Sequence, residues 1–443
     1  MENGKTNKTT IYKDVFNKHR RKPDNPLYID DINEMVDFSS ANPLQHQNII
    51  DLSEHRRRSQ SSNNSDSFQY EGPIYGLKSH PGFAYIPSAL STTLQRDLVY
   101  KAVTEFCEPP HGTNIDLVPL KVGIEVENLT PEESMWELWK SQNIDSNGDI
   151  NSLVAGNNEE STQFSKDERI NTKDNGTGTC MCTSTSKQKN RSSDNTKKDT
   201  KNPQNPKKKY YKTFEKLSWA TLGYRFDWTA RAYREKNKSA MPKVLDELGN
   251  FFARLGEETK TKLNVNVDST TPTTSIDNYT FTASAAIVNY YSLKSSMGGH
   301  RDDSELDVTK PVVSFSLGLP AVFMIGGKTR EEGPVVPLLL RPGDVMLLGG
   351  DSRLNFHGIA RILSQEVSVK LPKVGSHIGS KRIDDFQIRA WSSIFGDEYR
   401  DRIVETPPSD RLAIDTFLLQ HRVNANVRQV LPDGVDRIPG DDG

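Results

Sequence analysis

No stretch of this chain approaches the run of about 18 apolar residues that a membrane-crossing helix needs, so such a helix is excluded and no membrane partner is expected. Cysteine is scarce as well. Cys107, Cys180 and Cys182 are the only three in 443 residues, too few for the disulfide framework of a secreted scaffold, and a reducing compartment is expected. Cys180-Met181-Cys182 stands in a Thr/Ser/Asn-rich stretch with no second Cys/His pair nearby, so it is assigned no metal. Apolar residues make up only 34% of the chain, which suits one core of about 200–250 residues accompanied by much polar chain. Net charge is almost nil at −2, but the basic residues are clustered, so the total excludes no class of partner.

Four zones separate along the chain. Residues 1–70 read as a largely disordered N-terminal region, with basic clusters at Arg20-Arg21-Lys22 and Arg56-Arg57-Arg58 and a Ser/Asn patch from Ser59 to Ser67. Residues 71–140 read as an extension packing on the core. There, Phe83 to Ile86 suggests a strand, and Ser91 caps a helix through Leu94, Leu98, Ala102 and Phe106. Residues 141–209 form a low-complexity insert without periodicity, expected to be disordered. Residues 210–435 read as the main folded domain. Its helix over Pro242–Leu255 carries Val244, Leu245, Leu248, Phe251, Phe252 and Leu255 on one face. A second irregular stretch covers Pro372 to Asp385. Lys187 to Lys212 holds ten Lys/Arg against two Asp. It serves either to draw in a nucleic-acid backbone or as an import signal, or else as a solvated linker. Near the N-terminus, Lys5, Lys8, Lys13 and the basic stretch Lys18 to Lys22 are interrupted by Glu2 and Asp14, which spoils an acid-free transit peptide. Nucleus and/or cytoplasm is expected, with a mitochondrial pool allowed.

The chemistry concentrates in the last third. His300-Arg301-Asp302 puts a histidine and a carboxylate two residues apart, able to grip one metal from a strand end, and His357 follows fifty-seven residues later. Two histidines and one carboxylate make the open-faced ligand set of a non-haem Fe(II) oxygenase. An isolated H-x-D would be weak, since most such histidines are surface or core residues. Its surroundings carry the reading. Phe281–Tyr291, Val312–Gly318 and Ala321–Gly326 are strand-like runs, the last two joined through Leu319-Pro320. Pro334–Leu340, the turn Arg341-Pro342-Gly343-Asp344 and Val345–Leu348 read as a hairpin. Arg422 to Leu431 alternates strictly, with Arg422, Asn424, Asn426 and Arg428 on one face and Val423, Ala425 and Val427 on the other. Two arginines facing one interior call for a carboxylate partner, and 2-oxoglutarate carries two carboxylates.

These residues resemble the AlkB-type dioxygenases. Asn289-Tyr290-Tyr291 stands before His300 as the family's N-x-Y stands before its H-x-D. Ser314 to Gly327 (SFSLGLPAVFMIGG) resembles its core strand pair, and Arg341 to Ile362 its second-histidine segment. RVNANVR matches its R-x-N-x-x-x-R ending, and Leu222-Gly223-Tyr224 part of its nucleotide-recognition lid. The wording Ser304-Glu305-Leu306-Asp307 and the long N-terminal region suggest the eukaryotic AlkB homologue 1 branch. The resemblance covers roughly half the chain. It implies an α+β protein with a double-stranded β-helix (jelly-roll) core and flanking helices.

It implies further that His300, Asp302 and His357 hold Fe(II), and that Arg422 anchors the distal carboxylate of 2-oxoglutarate. Asn289, Tyr291 and Asn424 would contact the co-substrate, and Arg428 would sit beside Asp302 and the near carboxylate. O2 would be the third reactant. An N-methyl group on a nucleic-acid base would be hydroxylated and lost as formaldehyde, with succinate and CO2 as co-products. Trp219, Tyr224 and Trp228 are candidates for stacking a base, against ordinary strand packing. Ser304 stands where the bacterial repair enzyme has an acidic residue, four positions after the first histidine. That departure makes RNA, especially a tRNA of the 1-methyladenosine type, at least equal to single-stranded DNA as substrate. Two other readings stay open: a histone or protein methyl-lysine demethylase on the same core, and a non-catalytic nucleic-acid-binding scaffold. The complete triad argues against the scaffold. A monomer is expected.

Overall fold

A computed structural model describes residues 9–21, 25, 31, 34–53, 72–116, 134–144, 213–236, 238–263, 279–364 and 406–441. The Arg56–Arg58 cluster, the insert beyond residue 144 with its Cys-Met-Cys motif and basic run, and the stretch 372–385 lie outside them.

Nine strands form one antiparallel sheet, in the order β1 (Ile49–Asp51), β2 (Tyr75–Leu77), β3 (His80–Ile86), β13 (Val345–Leu348), β10 (Val312–Gly318), β15 (His421–Arg428), β8 (Ala285–Ser292), β5 (Trp219–Gly223) and β4 (Gly112–Thr113). A second antiparallel sheet runs β12 (Val336–Leu340), β11 (Ala321–Ile325), β14 (His357–Ile362) and β9 (Met297–His300). A separate hairpin pairs β6 (Arg225–Asp227) with β7 (Ala232–Arg234).

The alternation along β15 determines what each sheet face does. Val423, Ala425 and Val427 point into the main core, which α4 (Lys243–Leu263) covers with Leu245, Leu248, Phe251, Phe252 and Leu255. That helix runs eight residues past the end expected from its apolar stripe. The opposite face of β15 lines a cavity with Arg422, Asn424, Asn426 and Arg428. A second helix, α2 (Thr92–Thr104), is capped as its sequence suggests, Leu94 N–H donating to the Ser91 hydroxyl.

Two expectations need correction. The segment around Arg341–Asp344 does not close a hairpin. β12 pairs with β11 in the small sheet, whereas β13 pairs with β10 and β3 in the large one. Asp344 redirects the chain: its buried carboxylate accepts from the backbone N–H groups of Arg341 (2.7 Å) and Ser88 (2.8 Å) and from the Tyr85 hydroxyl. Gly343 beside it has φ +86°, a left-handed conformation that glycine adopts without strain. β10 and β11 are likewise not paired with each other, and the Leu319-Pro320 corner carries the chain from one sheet to the other.

Nor is the described part of residues 1–70 irregular. Helix α1 (Ile11–His19) is capped by Thr10 and buries Tyr12 and Phe16 against Val322, Met324, Leu339 and Ala360 of the small sheet. The physical reason lies in that sheet: β11 and β14 are buried along their whole length, so their outer face needs a cover. Residues 72–86 go further than an extension, supplying β2 and β3 to the large sheet itself. Among the described residues no helix is long and apolar enough to cross a membrane.

Candidate metal centre and co-substrate pocket

His300 closes β9, His357 opens β14, and the two are direct cross-strand partners. Their ring centroids lie 4.5 Å apart. Asp302 Oδ1 is 3.7 Å from His300 Nε2, and one ligand atom from each of the three residues falls within 4.8 Å of the others. Both histidines are already oriented. His300 Nδ1 contacts the Gly298 carbonyl (3.0 Å) and His357 Nδ1 the Asn355 carbonyl (2.9 Å). A carbonyl only accepts, so each Nδ1 carries the proton and each Nε2 presents its lone pair, the tautomer a metal requires.

Charge is arranged to match. Burial, reinforced by the neighbouring His300, lowers His357 to about 4, which keeps it neutral at ordinary pH. Burial pushes the Asp302 carboxyl up, but the Arg428 guanidinium beside it leads the opposing charges that hold the acid well below the usual carboxylate range. Arg428 Nη2 lies 3.1 Å from Asp302 Oδ2. A carboxylate and two imidazoles whose Nδ1 atoms are already engaged suit a divalent cation of intermediate softness.

A cavity of about 610 Å3 opens beside this triad. Arg422 lines it, is fully buried, and has no carboxylate partner among the described residues. Its Nη1 donates to the Leu319 carbonyl (3.2 Å), its Nη2 to the Ser316 hydroxyl (3.0 Å), and its Nε has no partner among the described residues. Burial without a counter-charge lowers this guanidinium to about 10. Such a group is costly to keep unless an anion completes it. Antiparallel register sets Tyr291 opposite Arg422 and Asn289 opposite Asn424, so the two sequence motifs meet in one place. Asn289 and Tyr291 line the cavity. Asn424 does too, but its amide N–H groups are already given to the Ser314 hydroxyl and the Phe315 carbonyl, both at 2.9 Å. Asn424 therefore braces β15 against β10.

Of the three candidate stacking aromatics, Trp219 and Trp228 reach the cavity, with ring centroids 5.2 Å apart. Tyr224 does not, and that expectation is corrected. It is buried with Tyr233, Ala285, Val430 and Leu431, and its hydroxyl donates to Glu235 (3.2 Å) or the Asp436 carbonyl (3.0 Å). Ser304 lines the cavity as well. Sequence reasoning missed Glu305, Arg353 and Tyr233, which form a buried polar set behind Asp302. No spacing in the sequence marks these three, because Glu305 sits in the loop after β9, Arg353 just before β14 and Tyr233 in β7, far apart along the chain.

A family model described as the 2OG-Fe(II) oxygenase superfamily matches residues 181–428. The chain is 26% identical over 381 residues to the DNA N(6)-methyladenine demethylase ALKBH1A of Arabidopsis thaliana, covering 84% of this chain and 87% of the relative. It is 26% identical over 373 residues to the nucleic acid dioxygenase ALKBH1 of Mus musculus, covering 82% and 67%. Over a shorter stretch of 149 residues it is 36% identical to the tRNA demethylase abh1 of Schizosaccharomyces pombe, covering 34% and 43%.

Proposed function

The chain belongs to the 2OG-Fe(II) oxygenase superfamily, in its AlkB-like homologue 1 branch, and on that premise we propose that it oxidatively demethylates N-methylated bases of nucleic acid. The observation that carries the reading is Arg422, a buried cation without a carboxylate among the described residues, facing the cavity that holds two histidines and an acid. We infer that the two sheets form a double-stranded β-helix with this site between them.

In this reading Nε2 of His300, Nε2 of His357 and a carboxylate oxygen of Asp302 hold Fe(II), and the donor chemistry fits. Arg422 pairs with the distal carboxylate of 2-oxoglutarate, while Asn289 and Tyr291 border the chain of that co-substrate. Arg428 keeps Asp302 ionised. Bound iron, with 2-oxoglutarate and O2, supplies the oxidising equivalents that turn an N-methyl group into N-hydroxymethyl, yielding succinate and CO2. The product then expels formaldehyde and leaves the unmethylated base.

Trp228 and Trp219 supply an aromatic wall for an unstacked base. The relatives named above include a DNA demethylase and a tRNA demethylase. Ser304 offers a neutral hydroxyl four positions after His300, and we favour RNA, tRNA above all, with single-stranded DNA next. The test compares succinate and formaldehyde formation on RNA containing 1-methyladenosine, on single-stranded DNA containing N6-methyladenine, and on a methyl-lysine histone peptide. Formaldehyde released in step with succinate from either nucleic acid supports the reading. Stimulation by the peptide alone overturns it.

A further inference from the structure

We propose that Glu305 is a positioning residue that ties the β6–β7 hairpin to the metal-binding carboxylate, so that occupation of the cavity mouth and retention of the metal are coupled. The inference rests on the iron reading of His300, Asp302 and His357.

Glu305 is almost fully buried yet accepts from three groups. Oε1 takes the Tyr233 hydroxyl at 2.8 Å and Arg428 Nη1 at 3.1 Å, and Oε2 takes Arg353 Nη2 at 2.8 Å. Arg428 turns its other terminal nitrogen to Asp302 Oδ2, so one guanidinium is shared between the two acids. Arg353 donates both to the main-chain carbonyl of Asp302 and, through Nε at 3.0 Å, to that of Lys310. It thereby pins the loop at two points around Glu305.

Two guanidinium groups face two carboxylates, so the buried set is neutral and its desolvation is offset internally. Removing the charge of Glu305 leaves both arginines competing for Asp302. A carboxylate held by two guanidinium groups gives a metal less of its charge and less of its lone pairs.

Tyr233 connects this set to the cavity mouth. It belongs to β7, and its ring meets Phe226 of β6 edge-on at 5.2 Å, while Phe226 meets Trp228 at 4.8 Å. Trp228 is a wall of the cavity. A continuous series of contacts therefore runs from the indole that would meet a base, through Phe226, Tyr233, Glu305 and Arg428, to the metal-binding acid. Arg231, in the turn of the same hairpin, lies 4.0 Å from Asp303, a second approach of hairpin to metal loop.

Tyr233→Phe removes one oxygen atom and keeps the ring packing, which makes it the cleaner probe. Glu305→Gln keeps the shape and removes the charge. Binding of Mn(II), in place of the redox-active ion, is titrated calorimetrically on the full chain with saturating 2-oxoglutarate. The titration is done with and without an RNA oligonucleotide containing 1-methyladenosine, and thermal unfolding is recorded alongside. We expect Glu305→Gln to weaken Mn(II) binding about 10- to 100-fold, the usual effect of losing a partner that orients a ligand. We expect the oligonucleotide to tighten Mn(II) binding to the wild-type protein, and Tyr233→Phe to abolish that tightening. Wild-type Mn(II) affinity in Glu305→Gln, or an unchanged oligonucleotide effect in Tyr233→Phe, overturns the proposal, even where the melting temperature has dropped. Failure of the wild-type protein to bind Mn(II) at all overturns the iron reading and this inference with it. That case is distinguishable because it appears without any mutation.

Discussion

The ring of Tyr12 lies against the backbone of Gly299, the residue before His300. A Cβ on Gly299 would stand 2.3 Å from Tyr12 Cε1, and one on Gly326 would stand 2.9 Å from Tyr12 Cδ2. The first helix is thus seated on the strand that delivers a metal-binding histidine, and Tyr12 N–H donates to the Arg330 carbonyl at 3.1 Å. Tyr12→Ala should cost about 3–5 kcal/mol, the range for a buried aromatic. Gly299→Ala should cost about 1–3 kcal/mol by overpacking. In the double variant the alanine methyl finds room, so the two costs should add to less than their sum. Urea denaturation of the four proteins measures this, and strict additivity would show that the two residues do not share a contact.

Each of His300→Ala, Asp302→Ala and His357→Ala should reduce Fe(II)-dependent turnover of 2-oxoglutarate to background, because loss of one facial ligand opens the coordination sphere. Succinate formation under added Fe(II) reads the outcome. Full turnover in any one variant would remove that residue from the ligand set.

Arg422 gives a prediction in which stability and function separate. The folded protein carries the cost of a buried cation without a carboxylate partner among the described residues, so Arg422→Met should leave the melting temperature of the ligand-free protein unchanged or raise it. The rise in melting temperature that 2-oxoglutarate gives the wild type should vanish. Arg422→Lys should raise KM for 2-oxoglutarate about 10- to 100-fold, since a point charge replaces a two-pronged donor. An unchanged KM would place the anchor elsewhere.

His421 precedes Arg422 and stacks on Phe417, with centroids 4.2 Å apart and planes 12° from parallel. Burial lowers it to about 4. The unfolded chain takes up this proton near pH 6.5, before the folded one does, so the unfolded state binds more protons between these values. Stability is fully present above about pH 6.5 and falls as pH drops through 4, by on the order of 3 kcal/mol from this residue. His19 is held down in the same way. In His421→Phe, denaturation midpoints between pH 7 and pH 4 should therefore show a shallower decline than wild type. An identical decline would mean that His421 is accessible to protons in the fold.

The basic run Lys187–Lys212 should contribute nucleic-acid affinity through counterion release. Helix α3 (Met135–Asn143) ends at residue 143, so residues 145–209 can be replaced by a short Gly-Ser linker without cutting it. RNA binding should weaken and its salt dependence flatten, while 2-oxoglutarate turnover without substrate stays the same. Wild-type affinity and salt slope would leave the insert as linker or address label.

The amino-acid sequence by itself determined the chemistry and the local conformations that carry it. H-x-D, the distant histidine and the alternating arginine strand were legible because strand periodicity is local and ligand chemistry is written in residue types. The same holds for Ser91 as a cap and for the apolar stripe of α4. Everything that depends on which surface meets which was decided by tertiary structure. The Arg341–Asp344 turn looks like a hairpin until the pull of Tyr85 and Ser88 on Asp344 draws β13 into the other sheet. Residues 11–19 look irregular in isolation, and form a structural helix because an apolar sheet face needs covering. Tyr224 and Trp228 are aromatic residues close together in the sequence, yet one is buried in a cluster and the other faces the cavity. Glu305, Arg353 and Tyr233 carry no signal at any spacing, because a neutral buried network exists only once distant charges are brought within about 3 Å of one another.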